Sequence, residues 1–503
     1  MQKIFNSNQI KRCDEFTIAN EPIASIDLME RAAKAVFQFL IDTVEADIFE
    51  IYCGQGNNGG DGLALARMLL HAQKKVAIYV ISVKEKGTED FEVNLQKLKL
   101  IYDAKIVTLA SSSDFVIPHQ KAVIIDALIG TGAKGAADGL IKETIDFINY
   151  QSNDKIAIDV PSGLLCDEPL LQNSVVVNAS ATLSFQFMKL AYLFPENNKY
   201  IGKIKLLDIG LSRHFIESEN TKHFFIDHAS IHEIIPARKL FAHKGNFGHA
   251  MLLVGSAGKY GAALLAAKGC LRSGAGLLTV HSASNLEHAL NVYLPSAMFN
   301  ADPQKDKISE IPELSKYNVI AAGCGIGDAP ETVKALKVLI QQCKSSLVLD
   351  ADALNILAEN KTWLTFLPPG TILTPHPKEF ERLAGKWSNG FERLQMQKDF
   401  SVKYNCYVVF KGAYTCVSSP IGNCYFNSTG NAGMAKGGSG DVLTGIITGL
   451  LAQGLNHAEA CIAAVYFHGV AGDLAKQKQG EISMLPEDLI EQLGNAFTKI
   501  SKN

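Results

Sequence analysis

The sequence predicts an α/β protein built from two doubly wound halves in series, and three observations lead there. Apolar runs of strand length alternate with helix-period segments along nearly the whole chain. Acidic or glycine residues stand just past several of those runs, where open parallel sheets keep their ligand loops. The chain of 503 residues is too long for one ordinary core. No fixed residue period recurs, so a solenoid is excluded.

In the first half, "SIDLMERAAKAVFQFLI" carries Leu28, Ala32, Ala35, Val36 and Phe39 at helical spacing, with Ser25 placed as an N-cap. "IFEIYCG" reads as a buried strand, "GLALARMLLHA" as a helix and "KVAIYVISV" as the next strand. "AVIIDALIG" and "KIAIDVPSG" are apolar runs that end in Asp126 and Asp159 before glycine-bearing turns. After "KIKLLDIGL", the polar stretch "SRHFIESENTK" reads as a linker, so the expected division is 1–212, a linker at 213–224, and 225–503.

The second half restarts with "HAMLLVGSAG", a helix in "GAALLAAKGCLRSGAG" and a strand in "LLTVHS". "VIAAGCGIG", "SLVLDADALNILA", "GTILTPHPKEFERLAG" and "CYVVFKGAYTCV" continue the strand–turn–helix theme. Composition narrows the function class. Lys+Arg 48 against Asp+Glu 51 leaves a net charge of -3, which gives no reason to expect a nucleic acid partner. The 10 cysteines form no CxxC pair and the start "MQKIFNSNQIKRCDEF" is polar, so a reducing cytoplasm is expected. Runs such as "VAIYVISV" are too short to span a bilayer, so no membrane partner is expected.

"CGQGNNGGDG" follows a strand and opens a helix, and Gly54-x-Gly56-x-x-Gly59 matches the dinucleotide fingerprint. The added "NNGGD" says more. Two amides and a carboxylate on a glycine turn can bind a polyol, an amide or a hard cation. Asp126 and Asp159 should project from the carboxyl edge of the sheet beside that loop, although a lone Asp there can simply cap a helix. "GTGAKGAADG" adds a second glycine turn that presents Lys134.

In the second half, "GGSGD" opens the apolar helix "VLTGIITGLLA". A helix N-terminus carries about half a positive charge and unpaired N–H groups, so phosphate suits it. Asp441 as a mere dipole complement would need no glycine nest. Gly437, Gly438 and Gly440 clear room for a bulky ligand, which puts the acid beside a substrate hydroxyl. Ribokinase-like kinases use such a turn, with the Asp as base and the amides as an anion hole. "VVFKGAYT" sets Lys411, Gly412 and Thr415 after a strand, and "LTPHPKEF" fixes His376 between two prolines.

Two resemblances follow from these motifs. "LMERAA", "CGQGNNGGDGLALAR", "DALIGTGAKG" and "AIDVPSGL" resemble the Rossmann-like epimerase domain that acts on hydrated nicotinamide dinucleotides, NAD(P)HX. That resemblance implies a substrate held by Asn57, Asn58, Gly59, Gly60 and Asp61 together with Gly130, Thr131, Gly132, Ala133, Lys134, Gly135 and Ala136. It implies that Asp159 contacts the reacting nicotinamide, and that potassium lies near Asn58, Asp126 and Ser162. Asp159 with Lys134 is the expected proton-transfer pair, because inversion at a carbinolamine-like carbon needs acid and base help.

"HKGNFGHAMLLVGSAGKYGAALLAAKGCLRSGAGLLTV", "DADALNIL", "TPHPKEFERL", "KGAYT" and "NAGMAKGGSGDVLTGII" are similar to the NAD(P)HX dehydratase, a ribokinase-like domain. This implies a nucleotide at Lys411, Gly412, Ala413, Tyr414, Thr415 and Gly440, with Ala262, Gly325, His376 and Asp441 around NAD(P)HX. The implied chemistry phosphorylates the ring hydroxyl and expels it as phosphate, with ADP as co-substrate and Mg2+ screening the phosphoryl charge. NADHX and NADPHX are the expected substrates, and a homo-oligomer is expected.

Rival readings differ in product. A ribokinase-like vitamin kinase with an accessory N-terminal domain would accumulate a phosphorylated alcohol. A non-catalytic dinucleotide sensor would bind without turnover. An NAD-dependent dehydrogenase is disfavoured, because no acid closes the second strand of the fingerprint.

Overall fold

The computed structural model describes residues 1–235 and 237–500. The chain divides into two compact units, one of 3–221 with 389–391 and one of 1–2, 222–388 and 392–503. Of the stretch expected to be a linker, Arg213–Ser218 is a helix and His223–Phe225 a strand, so short polar residues there fold locally. No described helix is long and apolar enough to cross a membrane.

The N-terminal unit opens with α1 (Ser7–Asn20) and α2 (Ser25–Thr43). It then alternates β1 (Ile48–Cys53), α3 (Asn57–His71), β2 (Lys75–Ile81), α4 (Glu89–Lys99), β3 (Lys105–Leu109) and β4 (Val123–Ala127). α5 (Gly139–Tyr150), β5 (Lys155–Ile158), β6 (Ala181–Phe185), β7 (Lys203–Leu207) and α6 (Arg213–Ser218) complete it. The sheet order is β3-β2-β1-β4-β5-β6-β7 with every pair parallel, the Rossmann-like arrangement. β4 and β5 are buried throughout, as expected of strands covered by helices on both faces.

Two local expectations change. The cap of α2 is Ala24, whose N–H donates to Asp27 at 3.0 Å, while Ser25 Oγ donates to Asp90. α3 begins at Asn57, five residues before the expected start at Gly62, so "NNGGD" forms its opening rather than a preceding loop. Its glycines allow that. A Cβ at Gly59 would sit 1.7 Å from the Gly54 carbonyl oxygen, one at Gly60 2.7 Å from Met29 Sδ, and one at Gly62 2.6 Å from Ala127 Cβ. Gly59→Ala meets backbone, which no rotamer can relieve. It should lower stability by about 1–3 kcal/mol, read as a drop in the N-terminal unit's melting temperature. An unchanged melting temperature would contradict this packing.

The C-terminal unit carries β8 (His223–Phe225), β9 (His249–Leu253), α7 (Tyr260–Arg272), β10 (Leu277–Ser282), β11 (Met298–Ala301) and β12 (Val319–Ala322). It continues through α8 (Pro330–Gln342), β13 (Ser346–Leu349), α9 (Asp352–Glu359), β14 (Ile372–Leu373), α10 (Pro377–Ala384) and β15 (Tyr407–Phe410). β16 (Cys416–Ser418), β17 (Cys424–Phe426), α11 (Ser439–Ala452), α12 (His457–Gln479) and α13 (Pro486–Ile500) end it. The order β8-β17-β16-β15-β14-β13-β12-β9-β10-β11 is parallel except where β16 runs antiparallel to both neighbours. α11 lies against α7 at close range: a Cβ at Gly445 would meet the Ala266 carbonyl oxygen at 2.1 Å, and one at Gly449 the Cys270 oxygen at 2.5 Å. The glycines of "TGIITG" therefore set a helix–helix approach, which holds the start of α11 rigid.

Two candidate active sites

In the N-terminal unit a pocket of about 1090 Å³ opens at the carboxyl ends of the parallel strands. Parallel register brings those ends level: Tyr52 pairs with Asp126, and Asp126 with Ala157, so Asp159 follows at the rim. Gly56 caps α3 and faces open space, the one fingerprint glycine that leaves room for a ligand. Asn57, Asn58 and Asp61 line the pocket from α3, and residues 130–136 form a second wall. Gly59 and Gly60 do not reach it, because they are spent on packing.

Asp159 has a left-handed backbone, φ 61°. Its Oδ1 accepts from Lys189 Nζ at 2.8 Å and from the Phe185 N–H at 3.2 Å. The Lys189 ammonium, 1% exposed, also donates to Ser184 Oγ at 2.8 Å and to the Phe185 carbonyl at 3.0 Å. Asp159 is thus paired with Lys189 and not with the expected Lys134, which lies exposed on its loop. Sequence reasoning missed Lys189 because it follows β6 in "FQFMKLAY" with no glycine or acid to mark it. It also missed Asp14, a pocket residue on α1, although the reciprocal Asn6 and Gln9 capping bonds were a usable signal for that helix.

Behind the wall, Asp126 is fully buried and accepts from Ser162 Oγ at 2.5 Å, Ser162 N–H at 2.8 Å and Leu128 N–H at 3.2 Å. Burial pushes its carboxyl up to about 6, against the pull of the Ser162 hydrogen bonds. Asn58 lies close by, its Oδ1 3.2 Å from where a Gly130 Cβ would be and its Nδ2 buried without a partner among the described residues. All three residues expected around potassium are therefore buried on this side of the pocket.

The second site lies at the start of α11. Gly438 is left-handed at φ 99°, and the first helical bond runs from the Val442 N–H to the Gly438 carbonyl. Among the described residues no acceptor reaches the N–H groups of Gly440 and Asp441. A Cβ on Gly437 would meet nothing within 4 Å, while one on Gly440 would lie 3.2 Å from Lys411 Nζ. Ligand atoms of Cys324, Asp350 and Asp441 all fall within 4.8 Å of one another. Burial raises the Asp441 carboxyl to about 6; the Cys324 hydrogen bond and Lys411 pull it down, and the Asp350 charge pushes it up.

Lys411 donates to Asp350 at 2.7 Å and lies 3.9 Å from Glu379. Burial works against its charge, yet the two carboxylates hold its ammonium above the ordinary lysine value. Thr444 donates to the other Asp350 oxygen at 2.7 Å. Residues 412–415 form a tight turn closed by Thr415 Oγ1 donating to the Gly412 carbonyl at 2.8 Å, with Tyr414 at φ 51°. Ala262 and Gly325 are brought together, since a Gly325 Cβ would be 3.2 Å from that of Ala262. His376 caps α10, its Nδ1 accepting from Lys378 and Glu379 N–H groups, while burial and Lys411 push its ring below the ordinary imidazole value. Asp350, Glu379 and Thr444 were not singled out from the sequence, although Asp350 ends an apolar run as Asp126 does.

A dinucleotide-sized pocket holding a buried acid–ammonium pair and a helix end that offers free amides beside an acid make this a two-site enzyme of nucleotide metabolites. A family model described as NAD(P)H-hydrate dehydratase matches residues 250–495, and one described as YjeF-related protein N-terminus matches 25–191. Bifunctional NAD(P)H-hydrate repair enzymes from Moorella thermoacetica and Coxiella burnetii are each 32% identical to this chain. The first alignment covers 96% of this chain and 94% of the relative, the second 98% and 99%. A solved ribokinase-like superfamily protein from Enterococcus faecalis is 26% identical, with a TM-score of 0.50 over 57% of this chain and 100% of its own. The chain belongs to the bifunctional NAD(P)H-hydrate repair enzymes, which join an NAD(P)HX epimerase to an NAD(P)HX dehydratase.

Proposed function

We propose that residues 1–212 invert the carbinolamine carbon of NAD(P)HX, and that residues 225–503 expel its hydroxyl from the S epimer at the expense of ADP, giving NAD(P)H, AMP and phosphate. What supports the first half is the Lys189–Asp159 pair in the pocket: a carboxylate fixed by a buried ammonium can take a proton at one defined place. Asn57, Asn58, Asp61 and the loop at 130–136 hold the dinucleotide around it. What supports the second half is Asp441 beside the free amides of α11. Asp441 takes the proton of the ring hydroxyl as its oxygen attacks the terminal phosphoryl group. The amides of Gly440 and Asp441 receive that group's negative charge. Phosphate then leaves where hydroxide would not, the ring nitrogen lone pair forming a C=N+ iminium, and loss of a proton from the adjacent ring carbon to solvent restores the dihydropyridine.

Lys411 is proposed to meet the nucleotide phosphates with the turn at 412–415, and Asp350 to keep that ammonium aimed. Mg2+ fits the hard oxygens of Asp350 and Asp441 better than it fits the Cys324 thiol, and when bound it would screen phosphoryl charge. Potassium fits Asn58, Asp126 and Ser162, which offer an amide oxygen, a carboxylate and a hydroxyl, and among the described residues no cationic side chain pairs with Asp126.

The experiment is direct. Purified protein is mixed with R,S-NADHX and Mg2+, with ADP and ATP in separate arms, and NADH is followed by absorbance. Full NADH recovery from both epimers with release of phosphate supports the reading. A phosphorylated product that accumulates without NADH would assign a small-molecule kinase instead.

A further inference from the structure

The epimerase pocket holds more acid than one proton-transfer step uses. Asp14, Asp61 and Asp159 all line it, and Lys189 is the buried ammonium among them. Lys189 is fully committed. Its three N–H bonds go to Asp159, Ser184 and the Phe185 carbonyl, so none remains for a second carboxyl. Asp159 is accordingly tied to a buried ammonium. Among the described residues, neither Asp14 nor Asp61 has a hydrogen-bond donor or an ion-pair partner, although both side chains border the cavity.

Inversion at a carbinolamine carbon needs two groups, one to protonate the departing oxygen and one to accept a proton from the water that returns on the opposite face. Lys189 is bound on all sides, and Lys134, though it borders the cavity, has no hydrogen bond or ion pair among the described residues to hold it toward the reacting carbon, so neither ammonium is positioned as the acid. We propose that Asp14 is that acid, a catalytic residue that works opposite Asp159. The inference rests on the epimerase reading of this pocket and adds the second proton carrier to it.

In the R-to-S direction the Asp14 carboxyl gives its proton to the hydroxyl, and the C–O bond breaks with its electron pair leaving as water. The ring nitrogen lone pair forms a C=N+ iminium. Water adds from the other face, the iminium electrons return to nitrogen, and the added water's proton passes to Asp159. Exchange with solvent restores the starting protonation, and the S-to-R direction runs the same steps backwards. No co-reactant beyond water is consumed.

The surroundings suit this division. Around Asp14 are Glu15 and Lys11 on its own helix, Asp61 on α3, and the Asp159–Lys189 pair. Burial, and then the Asp159 charge, lift the Asp14 carboxyl to about 7, with Lys189 pulling against them, so it can both hold and release a proton near neutral pH. Asp61, more deeply buried and facing Asp159, Asp14 and Asp90, has its carboxyl raised well above the ordinary range by burial and by those charges.

The test uses the full chain and initial rates of R-NADHX consumption, with the spontaneous rate subtracted. The parental kcat should fall as pH rises through about 7, where Asp14 loses its proton. Asp14→Asn should lower kcat for the R epimer by about 100-fold or more, leave KM within about threefold and abolish that limb. Asp14→Glu should recover part of the rate and keep the limb. Dehydration of pure S-NADHX in the same preparations reports that the chain is folded. An Asp14→Asn enzyme that keeps kcat within fivefold, or keeps the limb, overturns the assignment, provided Asp159→Asn has lost R consumption. If both variants consume R at the parental rate, the pocket reading fails with it.

Discussion

Asp441→Ala is expected to lose dehydration of S-NAD(P)HX by about 10²- to 10⁴-fold while nucleotide binding is largely kept. The side chain sits in the first turn of α11, beside amides that no acceptor among the described residues reaches, so its loss leaves the phosphate-facing backbone in place. Stopped assays with pure S epimer, and nucleotide titration of the same variant, check the two halves separately. The parental enzyme adds a second reading. A base raised to about 6 must be ionised to act, so dehydration should fall as pH drops through 6. Full dehydration by the alanine variant, or a parental rate flat from pH 5 to 8, would remove Asp441 from the proposed role.

The second large effect is on the other unit. Asp159→Ala should end enzymatic consumption of the R epimer and leave turnover of pure S substrate intact. Removing this carboxylate strands the Lys189 ammonium, 1% exposed, without its counter-charge, and breaking such a pair typically costs about 3–5 kcal/mol. Asp159→Asn keeps the shape and an oxygen acceptor, so it isolates chemistry from stability. If R is still consumed at the parental initial rate in both variants, Asp159 has no part in the inversion.

Much of this was legible in the amino-acid order, for physical reasons that can be named. Buried parallel strands advertise themselves as apolar runs, and an acid just past such a run falls on the ligand edge, as Asp126 and Asp159 do. Glycine spacing was readable only as far as crowding. Nothing in "GQGNNGGDG" tells that Gly59 yields to the Gly54 carbonyl while Gly56 faces open space. Partners far apart in sequence were the harder class. Lys189 reaches Asp159 across 30 residues, and Lys411 reaches Asp350 across 61, so only the folded sheet brings them together. Lys134 sits on the expected loop and borders the pocket, but its exposed side chain makes no ion pair with Asp159, which Lys189 holds instead.

The way Lys189 spends its three protons also makes it a clock. A lysine-acylating reagent attacks only a free, accessible amine, so it should mark exposed Lys134 within minutes and leave Lys189 unmodified. Acylation of Lys189 then has to wait for the N-terminal unit to open, and its rate counts those openings. Mass spectrometry of a labelling time course would read them directly, and a ligand that closes the pocket should slow the appearance of that single modified peptide. Prompt labelling of Lys189 in the native protein would show that the pair opens far more often than its bonds imply.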